Sequence, residues 1–349
     1  MTETHPTPAR HSRRGLAIPF IIVGLLLAAW SGWWFYLVDQ IETRLATQVE
    51  SLRQDGWTIT QAPVTTTGWP FRTRVSIPQA DILLPSGHGI AAPELVAEAG
   101  AWNPDHWVVI APEGMTLIRA DKGRIAIGGD GLRFSISQLR ARFPDLRAEM
   151  IRPTFTALAG AEPFPIASAE RIQLETRPHL TDGQASTDAL DVLFRLVGAR
   201  GRPGGPVEGA TRQGRLSADV EGTIVGASQL QAMDSAGLFS AWTKAGGRFT
   251  GVRGRLKAGD STALISSETL SARADGRLEG TLSVRAEKPM DTIAGLAGSS
   301  SGAVNRSGAA EAAAAAPASG EQPVDLVIQF RDGRTWLGPF ALAPAPRLF

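Results

Sequence analysis

The chain has 349 residues, of which 43% are hydrophobic and 20% charged, a composition that supports a folded core and excludes wholesale disorder or collagen. Its 35 Lys and Arg against 34 Asp and Glu give a net charge of +1, which argues against a nucleic-acid-binding protein, because such proteins usually carry a strongly basic face. The lack of cysteine excludes disulfides and cysteine-ligated metal sites, and the 38 glycines and 23 prolines favour a β-rich chain with many turns.

The N-terminal segment predicts a transmembrane helix over residues 15–38, preceded by a basic tail over residues 1–14. The segment is uncharged, and as a helix rising about 1.5 Å per residue it can cross a hydrocarbon core of about 30 Å. Arg10, Arg13 and Arg14 precede it, so the positive-inside rule places residues 1–14 in the cytoplasm and residues 39–349 outside. In a bacterium, this means an inner-membrane protein with most of its chain in the periplasm.

Four aromatic side chains lie near the far end of this segment, where such rings prefer the headgroup region: Trp30, Trp33, Trp34 and Tyr36. A cleaved signal peptide is the competing interpretation, with Ala29-Trp30-Ser31 as a loose cleavage site. The apolar run is longer than the usual stretch of about 7–15 residues in a signal peptide. We therefore expect an uncleaved anchor.

Residues 39–56 predict a juxtamembrane helix that continues the membrane helix outward. Apolar residues recur with helical spacing at Ile41, Leu45, Val49 and Leu52, and Gly56 suits the position just past the helix end. We interpret this helix as a spacer packed on the domain rather than as a coiled coil.

Residues 57–297 are expected to form a periplasmic β-rich domain. In the first long strand, Phe71, Thr73, Val75 and Ile77 alternate with polar residues and should share one buried face. Further strands are expected at 94–99, 107–110, 115–120, 124–127, 132–136, 169–176, 189–197, 216–220, 247–252, 263–266, 270–274 and 278–284. Asp275-Gly276 predicts a hairpin turn.

A helix is expected over residues 228–244, with Leu230, Met233, Leu238 and Trp242 as its apolar contacts. Residues 298–323 are rich in small and polar residues and predict a disordered, low-complexity loop, in which 311–316 could be transiently helical. Residues 324–349 then predict a C-terminal hairpin that completes the β domain. The expected fold is mainly β (α+β): a long curved antiparallel sheet or open sandwich of hairpins, with one N-terminal transmembrane helix and one or two covering helices.

Two short motifs resemble a known family: Thr67-Gly68-Trp69-Pro70-Phe71-Arg72 before the first long strand, and residues 332–346 at the C-terminal end, DGRTWLGPFALAPAP. Together with the N-terminal anchor and the hairpins of 247–288, they resemble the DUF2125 family of alphaproteobacterial envelope proteins, which implies no assigned activity. The repeating hairpins are also similar to those of AsmA-like and YdgA-like periplasmic proteins. This second resemblance implies a long curved sheet and lipid handling.

The first motif favours a structural role. Gly68 permits a tight turn, Pro70 cannot donate a ladder hydrogen bond, and Trp69 and Phe71 would act as apolar plugs where the strand begins. A recognition surface is the alternative. The turn at Leu337-Gly338-Pro339-Phe340 is interpreted in the same way.

Motifs of known catalytic chemistry are missing from the sequence. There is no phosphate-binding loop, zinc-protease motif, calcium-binding loop or dinucleotide fingerprint. Residues 298–302 match the pattern GxSxG, but they lie outside the strand–helix context that a nucleophile elbow needs. Of the histidines His5, His11, His88, His106 and His179, two precede the membrane segment and three are expected in separate loops without metal-ligand spacing, so we expect no catalytic, cofactor or metal site.

Three functions remain open from the sequence. The first is a non-catalytic, membrane-anchored protein whose sheet binds lipid, an acyl chain or an envelope partner on an apolar face. The second is a structural or assembly module with a sealed sheet. The third, an envelope hydrolase, would require a buried serine or carboxylate beside a histidine.

Overall fold

The structure, a computed structural model, describes residues 14–231, 237–300, 302, 304–315 and 323–349. Its helices are α1 (Arg14–Gln54), α2 (Pro206–Thr211), α3 (Leu238–Lys244), α4 (Pro289–Ala297) and α5 (Arg306–Ala315). Its strands are β1 (Thr58–Thr60), β2 (Thr65–Thr67), β3 (Arg72–Leu83), β4 (Gly89–Gly100), β5 (Asn103–Ile110), β6 (Met115–Arg119), β7 (Gly123–Gly128), β8 (Gly131–Ser137), β9 (Asp145–Ile151), β10 (Thr154–Ala157), β11 (Ile166–Ser168), β12 (Arg171–Thr181), β13 (Gln184–Gly201), β14 (Leu216–Val225), β15 (Arg248–Ala258), β16 (Ser261–Ala272), β17 (Leu278–Glu287), β18 (Val324–Arg331), β19 (Arg334–Leu337) and β20 (Phe340–Pro344). Over the described ranges the strands form one antiparallel sheet, which confirms the mainly β fold with an N-terminal apolar helix.

Helix α1 runs without a break through the expected membrane segment and the expected juxtamembrane helix. Within the described residues it is the helix long and apolar enough to cross a membrane, which suggests a membrane anchor. It ends as the sequence predicts: Gly56 adopts a φ of +88°, and the N–H of Trp57 donates to the carbonyl oxygen of Leu52 at 3.0 Å.

Two bent strands, β4 and β13, split the sheet into two layers. The start of β4 pairs with β6 and its end pairs with β5. Likewise, β13 pairs with β12 along most of its length and with β11 at Arg200 and Gly201. One layer therefore runs from β4 through β5, β8, β9 and β12 to β13, and the other runs through β6, β7, β10 and β11.

The main hydrophobic core lies between these two layers. Ile125 and Ile127 of β7 face Leu132 of β8, and all three are at most 5% exposed. Half-buried side chains from both layers complete the core: Val109, Met115, Leu117, Met150 and Phe155. This end of the domain is a closed sandwich.

Beyond β13 the sheet continues as a single layer through β14, β15, β16, β17 and β18 to β19 and β20. The segments expected at 263–266 and 270–274 are joined in one strand, β16, with an irregular register between them. The C-terminal hairpin pairs with β17, as expected for a segment that completes the sheet.

Of the helix expected over 228–244, the described residues show a 3-10 turn at Ala227–Gln231 and helix α3, and residues 232–236 lie outside them. Met233 lies outside the described residues. Trp242 is fully buried, packs on Phe249 and donates its indole N–H to the carbonyl oxygen of Val225 at 2.9 Å. Helix α3 therefore covers one face of the sheet, one of the two positions that the sequence left open, the other being the cap of a sheet end.

The expectation of a disordered loop over 298–323 is wrong for residues 306–310, which form helix α5 together with 311–315, the stretch for which a transient helix was expected; residues 316–322 lie outside the described residues. Asn305 caps the helix: its side-chain oxygen accepts the N–H of Gly308 at 3.2 Å, and its amide donates to the carbonyl oxygen of Ala341 at 2.8 Å. Ala309 and Ala312 are buried against Ile293, Leu342 and neighbouring side chains. The small residues that suggested a linker are those that let α5 approach β20 closely.

Candidate functional site

An exposed strip of apolar side chains crosses the face of the sheet that also carries the main hydrophobic core. Phe134, Leu174 and Phe194 lie in one cross-strand row on β8, β12 and β13, with Ala148 of β9 between the first two. They are 39%, 42% and 36% exposed, respectively. We call these three residues the apolar row, and at about 4.8 Å per strand the row is about 14 Å long.

The apolar row is open because the elements on either side cover other parts of the same face. On one side of the row, Leu132 lies two residues before Phe134 and Leu196 lies two residues after Phe194. Both are buried beneath the second layer of the sandwich. In the other direction, Leu190 and Ile224 are buried beneath Trp242 of α3 and neighbouring side chains. The row is thus a gap between two covered regions of the apolar face.

The opposite face of the same strands is polar and contains a cavity of about 630 Å³. Charged side chains of both signs line it, among them Arg147, Glu175, Asp191 and Arg253. Arg147 and Glu175 are paired, with 3.1 Å between Nε and Oε1. Cross-strand neighbours of opposite charge therefore neutralise one another over this face.

Two histidines that were expected in separate loops line this cavity together. His106 lies on β5 and His179 on β12, so that expectation is wrong for both. The sequence did not indicate this, because only strand pairing brings residues 73 positions apart to one cavity. His88 lies in the turn between β3 and β4, and His5 and His11 lie outside the described residues.

His179 belongs to a hydrogen-bond network centred on Asp191. Its Nδ1 lies 2.7 Å from Oδ1 of Asp191, and the Thr223 hydroxyl donates to the same oxygen at 3.0 Å. A nucleophile–base pair requires the hydroxyl to donate to the imidazole, whereas Thr223 donates to the carboxylate. Arg177 is a third partner of Asp191, with 3.7 Å between its Nε and Oδ2 of the carboxylate.

The most buried carboxylate of the described residues is also held in ion pairs. Glu149 is 3% exposed and accepts from Nε of Arg133 at 2.7 Å, and Nε of Arg171 lies 3.6 Å from its other oxygen. The GxSxG match follows helix α4, and its Ser300 hydroxyl donates to the carbonyl oxygen of Gly204 at 2.8 Å. Within the described ranges, no three His, Asp or Glu side chains are grouped so that they could hold a metal ion.

The Gly68–Phe71 turn docks on helix α1. The indole N–H of Trp30 donates to the carbonyl oxygen of Pro70 at 2.8 Å, and that of Trp34 donates to the carbonyl oxygen of Arg72 at 2.8 Å. Trp34 is 5% exposed and packs against Ala101. Part of the aromatic cluster expected at lipid headgroups thus holds the domain against the helix.

The expectation that Trp69 and Phe71 are buried plugs is wrong. Trp69 is 47% exposed and Phe71 is 63% exposed, and strand β3 begins only at Arg72. Trp102, in the turn before β5, is 67% exposed at the same end of the domain. We call Trp69, Phe71 and Trp102 the aromatic base. By contrast, Leu337 and Phe340 of the C-terminal motif are half-buried against α5, in agreement with a structural role.

Comparison with known proteins gives one match. A family model described as "Uncharacterized protein conserved in bacteria (DUF2125)" matches residues 34–346, nearly the whole chain. No curated protein and no solved structure matches the chain. The match contains both motifs on which the sequence resemblance was based.

Proposed function

The chain belongs to the DUF2125 family of uncharacterised bacterial proteins, and we propose that it is a non-catalytic protein of the inner membrane whose periplasmic domain binds the acyl chain of a lipid along the apolar row. The observation that carries this proposal is the exposure of Phe134, Leu174 and Phe194 in register between two covered regions of the same face. Leaving three large apolar side chains in contact with water is unfavourable by about 25 cal/mol for each Å². An acyl chain would cover them without hydrogen bonds.

The polar cavity supports a non-catalytic role. Asp191 is engaged with His179, Glu175 is paired with Arg147, and the Thr223 hydroxyl donates to Asp191 rather than to His179. A hydrolase would need a nucleophile activated by such a base. The alternative of a purely structural module is supported by the closed sandwich but does not account for the apolar row.

Native mass spectrometry of the full chain, extracted in a mild detergent, tests lipid binding. Leu174→Glu places a charge on the apolar row, while Leu264→Glu makes the same change at a 51% exposed leucine that pairs with Arg255 and Arg285. We expect a lipid adduct on the parent chain and on Leu264→Glu, and its loss from Leu174→Glu. A parent chain without lipid, or a Leu174→Glu variant that keeps it, would reject acyl-chain binding and favour the structural module.

The orientation in the membrane has its own test. Arg10, Arg13 and Arg14 precede the apolar segment and favour a cytoplasmic N-terminus. A phosphatase that is active only in the periplasm, fused after Phe349, should therefore be active. An inactive phosphatase fusion together with an active cytoplasmic reporter would contradict the periplasmic placement.

A further inference from the structure

We propose that the aromatic base inserts into the lipid leaflet that surrounds α1, so that the β-rich domain rests on the membrane with Trp69, Phe71 and Trp102 embedded in it. This inference rests on the membrane anchor of the proposed function but not on acyl-chain binding. The partner that covers the aromatic base is the lipid bilayer itself.

The position of the aromatic base along α1 carries the argument. Phe71 and Trp102 line an apolar cleft of about 630 Å³ together with Val23, Leu26 and Leu27 of the helix, and Trp30 completes it. Trp30, the lining residue of the helix nearest to Val38, precedes that end of the apolar segment by 8 residues. At about 1.5 Å per residue the cleft therefore begins about 12 Å inside that end, within the roughly 15 Å that one leaflet contributes to a core of about 30 Å.

The hydrogen bonds of the docked turn fit this position. Backbone carbonyls cannot remain unpaired close to lipid tails, because no water is present to bond them. The carbonyl oxygens of Pro70 and Arg72 accept the indole N–H groups of Trp30 and Trp34, and that of Ala101, next to Trp102, accepts the N–H of Trp33 at 3.4 Å. These three carbonyl groups beside the aromatic base are thus partnered from within the protein.

The charges above the aromatic base mark where the lipid surface would end. Arg72 is the first residue of β3, and Arg74 is the third. Their guanidinium groups lie 3.9 Å and 3.4 Å from carboxylate oxygens of Glu98. The Arg72 side chain is 71% exposed. Trp34, which bonds the Arg72 carbonyl oxygen, lies 4 residues or about 6 Å inside Val38, a depth from which an arginine side chain can extend to the phosphate groups.

Site-directed spin labelling tests the inference cleanly because the chain has no cysteine. Phe71→Cys and Trp102→Cys are each labelled with a nitroxide in the full chain, reconstituted in nanodiscs of phosphatidylethanolamine and phosphatidylglycerol. Leu26→Cys serves as the control within the span. Leu180→Cys, at a 60% exposed leucine of β12, serves as the control in water. Thermal unfolding of each labelled variant verifies that the fold is kept, which the exposure of the three domain positions favours.

The relaxation of each label by oxygen and by a water-soluble nickel complex gives the result. We expect oxygen to dominate at Leu26, Phe71 and Trp102, and nickel to dominate at Leu180. Nickel dominance at Phe71 and Trp102 with oxygen dominance at Leu26 would overturn the inference while leaving the anchor intact. Nickel dominance at Leu26 would overturn the anchor and the inference together. Labels at Phe71 and Trp102 that neither reagent reaches would indicate a protein partner or a second copy and would also overturn it.

Discussion

Replacing Ala309 by leucine tests whether helix α5 is part of the folded domain. Ala309 is fully buried, and its neighbours Ile293 and Leu342 leave no room for a larger side chain. Overpacking of this kind costs about 1–3 kcal/mol. Ala310→Leu is the matched control, because Ala310 is exposed and alanine and leucine differ by only a few tenths of a kcal/mol in helix propensity.

Thermal unfolding of the full chain in detergent, followed by tryptophan fluorescence, measures both variants. At about 2 °C per kcal/mol, Ala309→Leu should lower Tm by about 2–6 °C, whereas Ala310→Leu should leave it within about 1 °C. A free linker would tolerate both changes equally. Equal Tm values for the two variants would therefore refute the packing of α5 and restore the linker interpretation.

Three further predictions concern buried and charged groups, each measured by urea unfolding of the full chain. Trp242→Ala should cost about 3–5 kcal/mol because the site is fully buried, whereas Trp102→Ala should cost less than about 1 kcal/mol; similar costs would contradict the assigned exposures. Glu149→Gln should cost about 1.5–3 kcal/mol through the loss of its charged hydrogen bonds, and a neutral effect would contradict the ion-pair arrangement. The side-chain and backbone hydrogen bonds from Ser228 lower the pKa of Asp188 below 3.8. These bonds therefore stabilise the folded state above pH 3.8, and their contribution is lost as the pH falls through the lowered pKa. Ser228→Ala should thus destabilise the protein at pH 7 and progressively less below pH 3.8; an effect that does not change with pH would contradict this linkage.

The sequence predicted those elements whose side chains alternate clearly. In β3, Thr73 and Val75 are buried while Arg72 and Arg74 are exposed, as the two-residue period indicates. Strand β9 was not predicted although it carries the same signal, since Leu146, Ala148 and Met150 alternate there with Asp145, Arg147 and Glu149.

The candidate sites were not predictable, because each depends on contacts between distant segments. The apolar row requires the register that places Phe134, Leu174 and Phe194 side by side, and single-chain periodicity does not give that register. Trp69 and Phe71 are large apolar residues of the type usually found in a core. Only the docking of the turn on α1 shows that they remain exposed. The sequence contained one signal for their exposure: this aromatic motif occurs in a chain that also has a predicted membrane segment.

The tryptophans of α1 distinguish docking of the domain from simple anchoring in lipid. Trp34→Phe keeps an aromatic ring but removes the N–H that bonds the carbonyl oxygen of Arg72, at a site only 5% exposed. The lost bond and the unpaired carbonyl should cost about 1–3 kcal/mol, which corresponds to a change in the docking equilibrium of about 5- to 160-fold. Trp33→Phe is the control, because Trp33 is 45% exposed and its bond to Ala101 is long at 3.4 Å. Hydrogen–deuterium exchange of residues 68–73 in the full chain should accelerate in Trp34→Phe and stay within about twofold of the parent in Trp33→Phe. Equal exchange in both variants would mean that these indoles serve only as headgroup anchors and that the domain is not held against the helix by them.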